Sequence, residues 1–131
     1  MATGTALSNY LEEKVLNEVL SGVAYAAPTA LTCHLYTAAP TDAGGGTEVS
    51  GGSYVAQTCT SSFAVWAAGV VANDVAIDFG TATADWGTVV AFGIKDQSGN
   101  LLLWGALTAS KVISNGDGAK FAVGALTVAL D

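Results

Sequence analysis

One stretch constrains the fold more than any other: Asp85 to Leu107, Asp-Trp-Gly-Thr-Val-Val-Ala-Phe-Gly-Ile-Lys-Asp-Gln-Ser-Gly-Asn-Leu-Leu-Leu-Trp-Gly-Ala-Leu. It reads as two long strands joined by a tight loop. Gln97-Ser98-Gly99 suits a three-residue hairpin connection, a type I turn closed by Gly99 in the left-handed region. That register sets Asp96 opposite Asn100, Ile94 opposite Leu102 and Phe92 opposite Trp104. Alternation then gives one face of Val90, Phe92, Ile94, Leu102, Trp104 and Ala106, and another of Val89, Ala91, Gly93, Leu103, Gly105 and Leu107. Both faces are apolar, whereas an antiparallel hairpin ordinarily wets one of them. The larger face is expected to be core. The small-residue face suits close approach by something flat.

The one convincing helix spans about 9–21. Asn9 with Glu12 three residues on fits a capping box, and Glu12-Glu13 put negative charge at the positive end of the helix dipole. Leu11, Val15, Leu16, Val19 and Leu20 form a stripe opposite Glu12, Glu13, Asn17 and Glu18, and Ser21-Gly22 supplies the stop. So short a helix is marginal alone. Its stripe is therefore expected to dock on the hairpin's second face or on a neighbouring subunit.

After Pro28 the chain reads as strand and turn. Leu31 to Thr37 alternates, with Leu31, Cys33 and Leu35 inward and Thr32, His34 and Tyr36 outward. A long loop, Ala38 to Gly52, carries three consecutive glycines, Gly44, Gly45 and Gly46. Ser53 to Thr60 alternates again, and a weaker segment surrounds Trp66 and Val70-Val71. In the run from Val75 to Phe79, Val75, Ile77 and Phe79 share a face. After the hairpin come Lys111 to Ile113, the turn Asn115-Gly-Asp-Gly118, Lys120 to Val123 and Leu126 to Leu130. Eight or nine short strands at this spacing predict a mainly β chain: one antiparallel, jelly-roll-like β-sandwich domain over residues 1–131, with one N-terminal helix.

Charge narrows the function classes. Only 11% of residues are charged, arginine is absent, the lysines are Lys14, Lys95, Lys111 and Lys120, and the net charge is -7. Nucleic acid and anionic membrane surfaces need clustered cations, so neither is an expected partner. No apolar run reaches the roughly 18–20 residues of a membrane span. Met1 to Ser8 lacks a secretory signal's pattern, so assembly in a cytoplasm is expected, with Cys33 and Cys59 as reduced, buried thiols. So low a surface charge favours a subunit over a free-standing monomer.

Chemistry-bearing motifs are weak. His34 is the single histidine and has no partners at metal-ligand spacing; Cys33 beside it points to the opposite face of its strand. Asp74 and Asp78, four apart, are a conceivable carboxylate pair, but acids at turns mostly cap backbone. Asp42 and Glu48 match no calcium-loop spacing, and no lysine or helix follows Gly44 to Gly46 to make a phosphate cradle. No catalytic residue, metal or cofactor is implied. Aromatics including Tyr10, Tyr36, Tyr54, Trp66, Trp86 and Trp104 suit either a sugar-binding groove or subunit contacts. Trp104 is expected in the core and Trp86, beside a turn, at an interface.

Several blocks together resemble a family of small tailed-bacteriophage proteins. They are Ser8 to Lys14, Thr37 to Tyr54, Thr81 to Thr88, Phe92-Gly-Ile94, Asn100 to Thr108 and Gly124 to Val128. The resemblance spans nearly the whole chain in order. One departure is visible: the family commonly has arginine two residues after its Ser-Tyr pair, and here Val55-Ala56 follows Ser53-Tyr54.

The resemblance implies a virion structural protein without catalytic residues, of a kind often labelled tail-fibre and similar in size and β-sandwich character to capsid cement proteins. The leading expectation is a cement (decoration) protein on the outer capsid surface. It would bridge neighbouring copies of the major capsid protein and self-associate as a dimer or trimer. The alternative is a tail-fibre or tail-tip protein that binds a receptor. Expected contact residues are Leu11, Val15 and Val19 on the helix, Asp42, Gly44, Gly45, Gly46 and Glu48 on the long loop, and Tyr54 and Trp86.

Overall fold

A computed structural model describes residues 2–4 and 6–129, with side chains from Leu7 onward. In chain order the elements are β1 (Ala2–Gly4), β2 (Ala6–Leu7), α1 (Asn9–Ser21), β3 (Thr32–Ala38), β4 (Thr47–Glu48), β5 (Gln57–Thr58), β6 (Val71–Ala72), β7 (Ile77–Thr81), β8 (Gly87–Lys95), β9 (Leu101–Ile113), β10 (Gly118–Phe121) and β11 (Leu126–Val128).

The expected turn joins β8 to β9. Gly99 has φ 82°. The Asp96 carboxylate accepts the N–H groups of Ser98 and Asn100, both at 2.9 Å, and the Asn100 side-chain amide at 3.0 Å. The register beyond the turn differs from expectation. Lys95 faces Leu101 but Ile94 faces Leu103, so Leu102 is a bulge residue and Phe92 faces Gly105. A one-residue slip exchanges the faces of a strand. Leu103 and Leu107 therefore pack on the core, while Trp104 falls opposite Gly93 on the other face. Packing accounts for the slip. The fully buried Phe92 ring already meets Phe121 at 5.9 Å, and Phe121 meets Phe79 at 6.3 Å, so an indole opposite Phe92 would overfill the layer.

β8 and β9 lie centrally in a nine-stranded sheet whose main path is β4-β3-β8-β9-β1-β11-β6, its other two strands being β5 beside β3 and β2 beside β9. Its pairings are antiparallel apart from β1 with β11. The second layer is the antiparallel pair β7–β10. Cys33, Leu35, Val89, Phe92, Ile94 and Ile113 from the large sheet pack with Ile77, Phe79, Ala119 and Phe121 from the small one. The chain is thus the expected mainly β, antiparallel sandwich with one N-terminal helix. It remains open at its edge rather than closing into a barrel.

Several boundaries moved. The helix cap is Ser8 rather than Asn9: Ser8 Oγ accepts the Leu11 N–H at 3.2 Å, and the Asn9 N–H goes instead to the Asp42 carbonyl at 2.8 Å. Gly22, at φ 67°, ends the helix as expected. Lys111 to Ile113 is the end of β9, and the Ser53 to Thr60 run shortens to β5. Val75 leaves the core face because the buried Asn73 gathers the chain there. Its amide donates to the Val75 and Ala122 carbonyls, both at 3.0 Å, and its Oδ1 accepts the Leu126 N–H at 2.9 Å.

Candidate functional surfaces

The small-residue face of the hairpin is covered, but not by the helix. Tyr36 of β3 pairs with Ala91, and a Cβ on Gly93 would lie 2.9 Å from the Tyr36 ring. Glycine at 93 is what lets that ring lie flat on the sheet. The helix stripe stays in solvent: Val15 and Leu16 are exposed, Val19 is 73% exposed and Leu20 75%, while Leu11 is half-buried. Val23, Ala24, Ala26 and Ala27 continue this exposed apolar run past the helix end. Within the subunit only the start of α1 approaches β9 and β2; the stripe from Val15 onward does not dock there.

The 38–52 loop is pinned at both ends. Thr41 and Gly44 exchange backbone hydrogen bonds of 2.9 and 2.8 Å, and Asp42 Oδ1 accepts the Trp104 indole N–H at 3.0 Å. Gly44 is half-buried and Gly45 exposed. Gly46, at φ 80°, passes so close to Ala38 and Pro40 that a Cβ would sit 2.7 Å from their backbone. At the far end Glu48 Oε2 receives His34 Nδ1 and the Tyr54 hydroxyl, both at 2.8 Å, and His34 Nε2 lies 2.7 Å from Thr32 Oγ1. The Tyr54 hydroxyl also accepts the Leu35 N–H at 2.9 Å. Burial, reinforced by the Glu48 carboxylate, drives the Tyr54 pKa far above its ordinary value.

Hydroxyl, imidazole and carboxylate stand here in the order of a hydrolase triad. The second hydrogen bond to the same Glu48 oxygen makes the group a clasp between strand and loop. Glu48 and Tyr54, both half-buried, are thus bonded to each other within the subunit.

Trp86 is also drawn inward. It is 5% exposed, meets Tyr54 edge-on at 5.4 Å and donates its indole N–H to the Gly52 carbonyl at 2.9 Å. Gly52 leaves room for the indole: a Cβ there would lie 2.8 Å from Nε1. The exposed tryptophan is Trp66, 68% exposed beside a turn where Ala67 pairs with Val70 and next to a still more open Val65. Ala68 and Gly69 make that turn at positive φ, and Gly69 is the one sequence signal for it.

Among the described residues, no three His, Cys, Asp or Glu side chains come together as metal ligands. Asp78 caps a turn, with its Oδ1 accepting the Gly80 N–H at 2.8 Å. Cys33 and Cys59 are buried free thiols; burial pushes the Cys59 pKa up to about 11 and that of Cys33 higher still, aided there by Cys59.

These elements define a small, acidic β-sandwich subunit with an exposed apolar stripe on its helix and a second exposed apolar patch around Val65 and Trp66. Residues 6–129 match the family model described as Podophage GP4 fiber I protein gp80, and the chain belongs to that family. It is a family of phage virion structural proteins, the class that the sequence blocks resembled. No curated protein matches the chain.

Proposed function

We propose that this chain is a structural subunit of a phage fibre, joined to further copies of itself through the apolar face of α1, and that it works through buried area rather than catalysis. The observation that carries the reading is that face, Val15, Leu16, Val19 and Leu20 in solvent on one side of a capped helix, continued past its end by Val23. Exposed contiguous apolar surface of this kind marks association sites. The fibre role stands ahead of the cement role because the matched family is described as a fibre protein. Localising a tagged copy on imaged virions and counting copies tests it. Tail or fibre density at low copy number supports the reading. Hundreds of copies spread beside the major capsid protein would replace it with the cement role.

A further inference from the structure

An apolar cleft of about 210 Å³ opens between the two sheets of the sandwich. Leu107, Ala109, Lys111 and Ile113 of β9 line one wall, and Lys120 and Phe121 of β10 line the other. An apolar cavity of about 150 Å³ takes up benzene, so this one has room for one or two aliphatic side chains. Ala109 and Lys111 are exposed at its mouth. Neither Lys111 nor Lys120 forms an ion pair among the described residues. Asp78 stands opposite Lys120 in the small sheet, but its Oδ1 is held by the Gly80 N–H at 2.8 Å. Two of the four cations on a chain of net charge -7 therefore border one apolar opening. The complementary surface is on α1. Leu16, Val19 and Leu20 are in solvent, and Glu12 and Glu13, also exposed, precede Leu16 by one helical turn. The helix starts where the Ser8 N–H meets the Leu102 carbonyl at 2.9 Å, whereas Lys111 lies about 30 Å further along the extended β9 strand.

We propose that copies join head to tail: α1 of one copy seats over the β9–β10 cleft of the next, Leu16 and Leu20 enter it, and Glu12 and Glu13 meet Lys111 and Lys120. This rests on the association through α1 proposed above and names the surface that receives the helix. Charge sets this pairing ahead of helix against helix. Two α1 faces packed together would gather the Glu12, Glu13 and Glu18 carboxylates of both copies, with Lys14 as the one cation on each helix. That lysine already lies over the Tyr10 ring, 5.3 Å from its centre, and 4.0 Å from Glu13. The cleft offers unpaired lysines instead, and such complementarity fixes orientation at contact while the acidic copies still repel at long range. A contact between two different patches leaves every pair with one free helix and one free cleft. It therefore propagates into a filament or, where the rotation closes, a ring. That is the geometry a fibre needs.

The test is sedimentation of the full chain and two double variants, alone and mixed. Ala109→Glu with Lys111→Glu closes the cleft, and Leu16→Gln with Leu20→Gln strips the helix face. All four positions are exposed, so both variants should unfold at midpoints close to the parent's. The parent should form oligomers and each variant alone should be monomeric. An equimolar mixture should form a one-to-one dimer and grow no further, because one variant keeps its helix face and the other its cleft. If Ala109→Glu with Lys111→Glu unfolds the chain, Lys111→Glu alone takes its place, with a loss of association of about 10-fold or more expected. A cleft variant that associates as the parent does would mean that helix faces pair with each other, which overturns the head-to-tail contact and leaves association through α1 standing. Folded variants that stay monomeric when mixed overturn it too, as does a fatty acid released from the denatured parent and found by mass spectrometry in equal amount to the chain. A monomeric parent overturns both readings.

Discussion

The Tyr54 hydroxyl and the Glu48 carboxylate, 2.8 Å apart, tie the end of the long loop to the floor of the sandwich. The same hydroxyl accepts the Leu35 N–H, so one oxygen serves strand β3 and the loop together. Tyr54→Phe keeps the ring stacked on Phe79 but leaves the Leu35 N–H without its acceptor and removes a donor from Glu48. An unmet buried group costs about 1–3 kcal/mol. A lower urea midpoint with an unchanged slope is the expected outcome, and an unchanged midpoint would show that water replaces the hydroxyl.

The hairpin turn carries a pH dependence. Burial opposes ionisation of Asp96, but hydrogen bonds from the Asn100 side chain and from the Asn100, Ser98 and Gly99 backbone outweigh it and hold the carboxyl below its ordinary value. A depressed folded-state pKa stabilises the fold above the ordinary carboxylate value. That stability is lost as pH falls through the folded pKa, because the unfolded chain takes up the proton first. Denaturation midpoints measured from neutral to about pH 2 should fall at the acid end, and Asp96→Asn should flatten that part of the curve.

Charge placed on the helix face should separate copies without unfolding them. Leu16→Lys with Leu20→Lys substitutes positions that are already in solvent, so stability should change by no more than about 0.5 kcal/mol per site. Sedimentation should show the parent chain as an oligomer that strengthens with salt, since copies each of net charge -7 repel. The double variant should sediment as a monomer. A parent chain that is monomeric at all accessible concentrations would remove the helix face from the proposal.

Gly93→Ala tests the covered face of the hairpin. The new methyl would meet the Tyr36 ring at 2.9 Å and Leu101 at 3.0 Å, both held between strands. Overpacking of this kind costs about 1–3 kcal/mol. The melting temperature should drop, and the resonances of Tyr36 and Leu101 should move most.

Local chemistry was legible in the sequence where neighbours in the chain decide the outcome. The turn at Gln97 to Gly99 depends on Asp96 and Asn100 beside it, and the inward alternation of Cys33 and Leu35 is a property of one strand. What sequence reasoning missed was set by distant partners. The face of β9 was decided by the bulk around Phe92, and the burial of Trp86 by a carbonyl at Gly52. Ser8 displaced Asn9 as cap because Asp42, far along the chain, supplies the acceptor for Asn9. Among the expected contact residues, Val15 and Val19 are exposed, whereas Tyr54 and Trp86 serve the interior. The apolar cleft unites residues from five strands, and no single motif announces it.

The parallel pairing of β1 with β11 also orders events in time. β1 sits between β9 and β11, and its partners Leu126 to Val128 are synthesised long after it. Contacts of such long sequence separation form late, because two distant stretches must be brought together first. The nascent polypeptide therefore carries its exposed helix through synthesis before the sheet is complete. Premature clustering of half-made copies along a polysome is the hazard this topology creates. A strongly acidic chain, whose copies repel at long range, is well suited to delay it.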